Sequence, residues 1–71
     1  MAQMASIFVN ERPHPLREGS TLLAVLTELG LESRKGVAAA VDGAVVPRAL
    51  WPERALSDGN RVLVIRATQG G

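Results

Sequence analysis

The residues best placed to do chemistry stand last in the sequence: Ala67-Thr68-Gln69-Gly70-Gly71, which follow the apolar run Arg61-Val62-Leu63-Val64-Ile65-Arg66. Glycine has no Cβ and loses more conformational freedom on folding than other residues, so a closing pair has little to gain from packing. Such a pair suits a different task. It can thread a narrow channel and present the unhindered carboxylate of Gly71 to a reaction centre elsewhere. The plain alternative is a frayed end. Few other groups compete for the role. Without cysteine there is no disulfide framework, thiolate metal site or persulfide-bearing thiol. His14 is the single histidine, which excludes a multi-histidine metal centre and leaves little for acid–base catalysis. No Gly-x-x-x-x-Gly-Lys-Ser/Thr run is present to cradle phosphates. Neither a metal nor a permanently bound cofactor is expected.

With 71 residues the chain reads as one small domain, close to the lower size limit for folding without staples. The expected layout is a single domain over 1–71, with a loose leader at 1–4 and a flexible tail at 67–71. Either Met1 or Met4 could be the start. A hydrophobic share of 46% is enough for a core and argues against disorder. The formal net charge of +1, with Lys and Arg dispersed, gives no basic stripe for nucleic acid. Phe8 and Trp51 are the only aromatics, too few for a base-stacking platform. No apolar run reaches bilayer length and no signal peptide opens the chain, so a cytoplasmic protein without membrane contact is expected.

The elements that must position the tail follow from local patterns. Ala5-Ser6-Ile7-Phe8-Val9 reads as a strand stopped by Asn10-Glu11, with Ile7 and Val9 on one face and Phe8 on the other. Arg12 to Leu16 returns as a second strand, confined to a sheet edge because Pro13 and Pro15 cannot donate ladder hydrogen bonds. His14 between them reads as a solvated edge residue, with a titrating switch as the sharper alternative. Ser20 or Thr21 caps a helix whose Leu22, Val25, Leu26 and Leu29 follow i, i+3, i+4, i+7 spacing, closed by Gly30. Residues 31–36 form a polar crossing in which Arg34 and Lys35 read as a solvated bend. Val37 to Val41 and Ala44 to Val46 flank Asp42-Gly43, a strong hairpin signal. Pro47-Arg48-Ala49-Leu50-Trp51-Pro52 leaves the sheet, with Trp51 expected to cap the open end of the core. The turn cluster Leu56-Ser57-Asp58-Gly59-Asn60 leads into the last strand.

That last strand is apolar on both faces: Val62 and Val64 share one, Leu63 and Ile65 the other. A single helix can cover only one face of a small sheet. Leu63 and Ile65, joined by Phe8, are therefore expected to form an exposed patch beside the tail, which reads as a docking surface. The element order implies an α+β roll. This is the β-grasp, ubiquitin-like arrangement: a mixed sheet of four to five strands, one helix packed across one face, first and last strands side by side at the centre.

With the elements in this order, the chain resembles the ThiS family, the sulfur carriers of thiamine thiazole synthesis. The matching segments are Ile7-Phe8-Val9-Asn10-Glu11, Glu18-Gly19-Ser20-Thr21-Leu22, Val41-Asp42-Gly43-Ala44-Val45-Val46-Pro47-Arg48 with Trp51, Leu56-Ser57-Asp58-Gly59-Asn60, and Gln69-Gly70-Gly71. The closing glycines and Asp-Gly turns also occur in the small subunit of molybdopterin synthase and in other ubiquitin-like carriers. The stretch from Val45 to Trp51 is the more specific. Two departures are the leader and Glu11-Arg12, where a glycine often completes the first turn.

The resemblance implies a protein that is substrate and carrier, not catalyst. The Gly71 carboxylate would be adenylated by a ThiF-like adenylating enzyme that consumes ATP. Sulfur from a cysteine-desulfurase or rhodanese-type donor would convert it to a thiocarboxylate, for delivery to a ThiG-like thiazole synthase. Gly70 and Gln69 would enter the partner with Gly71, while Phe8, Leu63 and Ile65 would hold it. Two alternatives stay open: delivery of sulfur to molybdopterin or cysteine synthesis, and a ubiquitin-like interaction module without sulfur chemistry.

Overall fold

Alternating apolar residues, bounded by turn-forming pairs, set the strands of this chain. The structure is a computed structural model that describes residues 5–17 and 19–66. The expected leader and tail, and Glu18, lie outside the described residues. β1 (Ala5–Val9) and β2 (Arg12–Leu16) form an antiparallel hairpin. Its two turn residues, Asn10 and Glu11, both have positive φ, +50° and +69°. This is the left-handed pattern that matches the twist of a two-residue hairpin. Asparagine tolerates it; glutamate rarely adopts it.

Thr21 is the N-cap of α1 (Leu22–Glu28), its Oγ1 accepting a hydrogen bond from the Ala24 amide at 3.2 Å. Leu22, Val25 and Leu26 are buried as their spacing requires. Leu29, expected on the same stripe, is 38% exposed. The helix ends at Glu28 with Leu29 as its C-cap, half in water past the last turn that packs on the core, and Gly30 at φ +74° then turns the chain. β3 (Val37–Val41) and β4 (Ala44–Val46) meet at Asp42-Gly43, both again at positive φ. The alanine-rich run is thus a strand, its helix propensity overridden by tertiary pairing. The stretch expected to leave the sheet forms a 3-10 helix, Arg48–Glu53, which buries Trp51. β5 (Arg61–Arg66) closes the sheet.

The sheet order is β2-β1-β5-β3-β4. β1 and β5 run parallel, and every other neighbouring pair is antiparallel. The first and last strands therefore lie side by side, with β5 at the centre. On one face Ile7, Leu16, Val41 and Val62 pack against Leu22, Val25 and Leu26 of α1, and Trp51 and Leu56 complete the cluster. The amides of Phe8 and Asn10 point to β5, donating to the carbonyls of Asn60 and Val62 at 3.0 and 2.9 Å. Alternation then turns the polar groups of Ile7 and Val9 toward β2. In that register the nitrogens of Pro13 and Pro15, opposite Phe8 and Ser6, face away from the ladder. The two prolines sit on an edge strand for the reason the sequence suggests.

Candidate functional site

The candidate site is the face of the sheet that α1 leaves uncovered, built from side chains that alternation turns away from the core. On β5, Val62 is buried and Val64 packs on the core, while Leu63 and Ile65 are 50% and 51% exposed. The expected parity of the strand holds. Cross-strand pairing extends the patch: Leu63 lies opposite Ala40, and Ala40 lies opposite Val45. Phe8 on β1 pairs with Arg61 at the start of β5. Phe8, Ala40, Val45, Leu63 and Ile65 line a shallow concavity of about 350 Å³, with Glu11 and Arg61 among its other lining residues. The Arg61 guanidinium lies 5.7 Å from the Phe8 ring centroid, so a cation covers part of the aromatic edge of the patch.

The structure thus brings together Phe8, Leu63 and Ile65. Gln69, Gly70 and Gly71 lie outside the described residues. Sequence reasoning missed Val45, at 73% exposure the most open large apolar side chain described. The signal was available. A two-residue turn at Asp42-Gly43 pairs Val41 with Ala44, and this puts Val45 opposite Ala40 on the face away from Val46.

Polar contacts fix where β5 runs. Asp42 Oδ1 accepts from the Arg61 amide at 2.8 Å, and the Asp42 amide donates to the Arg61 carbonyl at 2.7 Å. Asp42 Oδ2 accepts from Asn60 Nδ2 at 2.7 Å. Ser6 donates its amide to Asp58 Oδ1 at 2.8 Å and accepts from Gly59 at 2.7 Å, which ties the preceding turn to β1. The hairpin turn and the Ser57–Asn60 turn together anchor the start of the strand that leads to the tail.

His14 takes no part. It sits on the helix side of the sheet opposite Ile7, not as the solvated edge residue expected, with a side chain only 20% exposed. Its Nδ1 donates to the Pro15 carbonyl at 2.8 Å, and its Nε2 lies 3.7 Å from Glu28 Oε1. Among the described residues no three His, Cys, Asp or Glu side chains gather to hold a metal, and no helix is long and apolar enough to cross a membrane.

The open face carries exposed apolar side chains, and the strand that bears Leu63 and Ile65 precedes Gln69-Gly70-Gly71 in the sequence. Known proteins resemble the chain in sequence and in fold. The chain is 42% identical over 65 residues to the sulfur carrier protein ThiS of Thermus thermophilus, a match covering 92% of this chain and 98% of that protein. The crystal structure of a thiamine biosynthesis protein (ThiS) from Geobacter metallireducens superposes with a TM-score of 0.78 at 22% identity. That superposition covers 93% of this chain and 99% of the other, and it fixes the β-grasp fold. The ThiS family model matches residues 1–71, and the chain belongs to the ThiS family.

Proposed function

We propose that this protein is a sulfur carrier of thiamine biosynthesis, loaded at the carboxylate of Gly71 and acting as a substrate of other enzymes. Its Thermus relative bears the name of sulfur carrier. The observation that carries the reading for this chain is the continuity of β5. One strand bears Leu63 and Ile65 on the open face and leads onward to Gln69-Gly70-Gly71.

The chemistry follows from what a carboxylate lacks. It is a poor electrophile, because its oxygen leaves badly. A ThiF-like adenylating enzyme joins it to the α-phosphate of ATP, releasing pyrophosphate and making AMP the leaving group. Cations around the phosphates are the partner's to supply. The terminal sulfur of a persulfide on a cysteine-desulfurase or rhodanese-type donor forms the new C–S bond as AMP departs. A second thiol then cleaves the S–S bond, freeing the thiocarboxylate and leaving a disulfide behind. A ThiG-like thiazole synthase receives the sulfur. Gln69 and Gly70 occupy the partner's channel, and Phe8, Leu63 and Ile65 dock on its surface. Loading by ATP and persulfide suits the cytoplasm, and ATP is consumed without remaining bound.

Incubation with ATP, a ThiF-like enzyme and a persulfide donor tests the reading by intact mass. The expected product has one oxygen replaced by sulfur, and a variant lacking Gly71 stays unmodified. Unchanged mass of the wild-type chain overturns the carrier role with that enzyme set. Capture of a molybdopterin-synthase large subunit, with no thiazole synthase bound, overturns the thiamine assignment.

A further inference from the structure

β5 outruns its parallel partner. β1 pairs with it only at Phe8↔Arg61 and Val9↔Val62, whereas β5 continues to Arg66. On its other side β5 stays paired with β3 as far as Arg66, opposite Val37. Toward β1, among the described residues, one contact continues the ladder: Asn10 Oδ1 accepts from the Val64 amide at 2.8 Å. The Asn10 amide already donates to the Val62 carbonyl at 2.9 Å, so this residue grips two successive inward-facing positions of β5. It does so from a left-handed backbone, φ +50°, its side chain reaching onward in the shared direction of β1 and β5. An asparagine carbonyl here stands in for the main-chain carbonyl that β1 no longer provides.

From this geometry we infer that Asn10 is a positioning residue for sulfur loading. By continuing the β1-side ladder to Val64, across from the β3 pairing, it fixes the tail-proximal half of β5 from both sides, and so sets the direction from which the Gly71 carboxylate enters the activating partner. The inference rests on the carrier reading above. It asks for no contact between Asn10 and the reacting atoms. Small errors of aim matter, since misplacing reacting groups by about 1 Å costs on the order of a hundredfold in rate.

Two substitutions separate positioning from folding. Asn10→Gly removes the acceptor while easing the left-handed backbone, so the domain folds. Asn10→Asp keeps an acceptor oxygen at the same reach and tolerates the same φ. Amide hydrogen exchange by NMR is expected to speed up at Val64 by roughly tenfold in Asn10→Gly, with the wild-type rate retained in Asn10→Asp. Steady-state thiocarboxylation is expected to show kcat lowered by roughly tenfold in Asn10→Gly. KM is expected to stay near the wild-type value because the open face is intact, and Asn10→Asp should restore kcat. Unaltered Val64 exchange in Asn10→Gly overturns the inference, as does faster exchange with wild-type kcat. A wild-type chain that never gains sulfur overturns the carrier reading and this inference together, whereas failure of the inference alone leaves wild-type loading intact.

Discussion

Trp51 Nε1 donates a hydrogen bond to the Val46 carbonyl at 2.9 Å, linking the 3-10 helix to the last residue of β4. The indole is 1% exposed, and the Arg48 guanidinium lies 4.8 Å from its ring centroid. Arg48 also donates to the Arg34 carbonyl at 2.9 Å, so one side chain ties this corner to the polar crossing after α1. Trp51→Phe removes the donor, so the Val46 carbonyl keeps only its place in the β3–β4 ladder, and opens a small void. A loss of about 2 kcal/mol is expected. In a domain of this size that lowers Tm by roughly 10 °C, which calorimetry would read. A Tm within a degree or two of wild type would show that the bond is not holding the corner.

Neighbouring residues of β5 should respond in opposite ways to the same charge. Leu63→Asp places a carboxylate on a face already half in water, so denaturant midpoints should move little. Partner affinity should fall by roughly a hundredfold, because docking must strip water from that charge. Val62→Asp puts the carboxylate among Ile7, Leu26 and Val41, and the domain should not fold. Urea titrations and partner binding by calorimetry check the pair. A folded Val62→Asp protein that binds normally would mean the two faces are assigned in reverse.

Val45→Asp extends the same logic to a position on another strand. Its exposure and its place opposite Ala40 predict a stability close to wild type and binding weakened by roughly tenfold. Unchanged affinity would confine the docking surface to β1 and β5.

Glu11 holds φ +69° without the freedom of glycine. Glu11→Gly should therefore stabilise the domain by about 1 kcal/mol, the relief of left-handed strain less the added entropy of the unfolded chain. Urea denaturation should show a higher midpoint with unchanged slope. A lower midpoint would mean that the glutamate side chain contributes more than its backbone costs.

Thr21→Ala deletes the side-chain N-cap of a seven-residue helix. A loss of about 1 kcal/mol is expected, with Thr21→Ser recovering most of it. Equal stability of the two variants would argue against the cap.

Much of this was legible from local chemistry. Asp42-Gly43 fixed a hairpin whose register follows by counting, the prolines of β2 placed it at an edge, and the valine-leucine alternation of β5 assigned both faces. Three features were not legible, for identifiable reasons. Leu29 matched the helical spacing, but spacing does not say which turn a glycine cuts off. His14 looked solvated because a proline-flanked edge strand says nothing of the helix end that covers it. The grip of Asn10 on Val64 spans 54 positions, and only the parallel pairing of β1 with β5 brings those residues together.

The rims of the sheet have a further consequence. One rim is β2, where Pro13 and Pro15 turn nitrogens without hydrogens outward; the other is β4, three residues long and stopped by Pro47. Both rims are therefore poor templates for a neighbouring copy, which is how exposed strands seed fibrils. A domain that leaves an oily sheet face half bare is thereby guarded against clumping with its own kind.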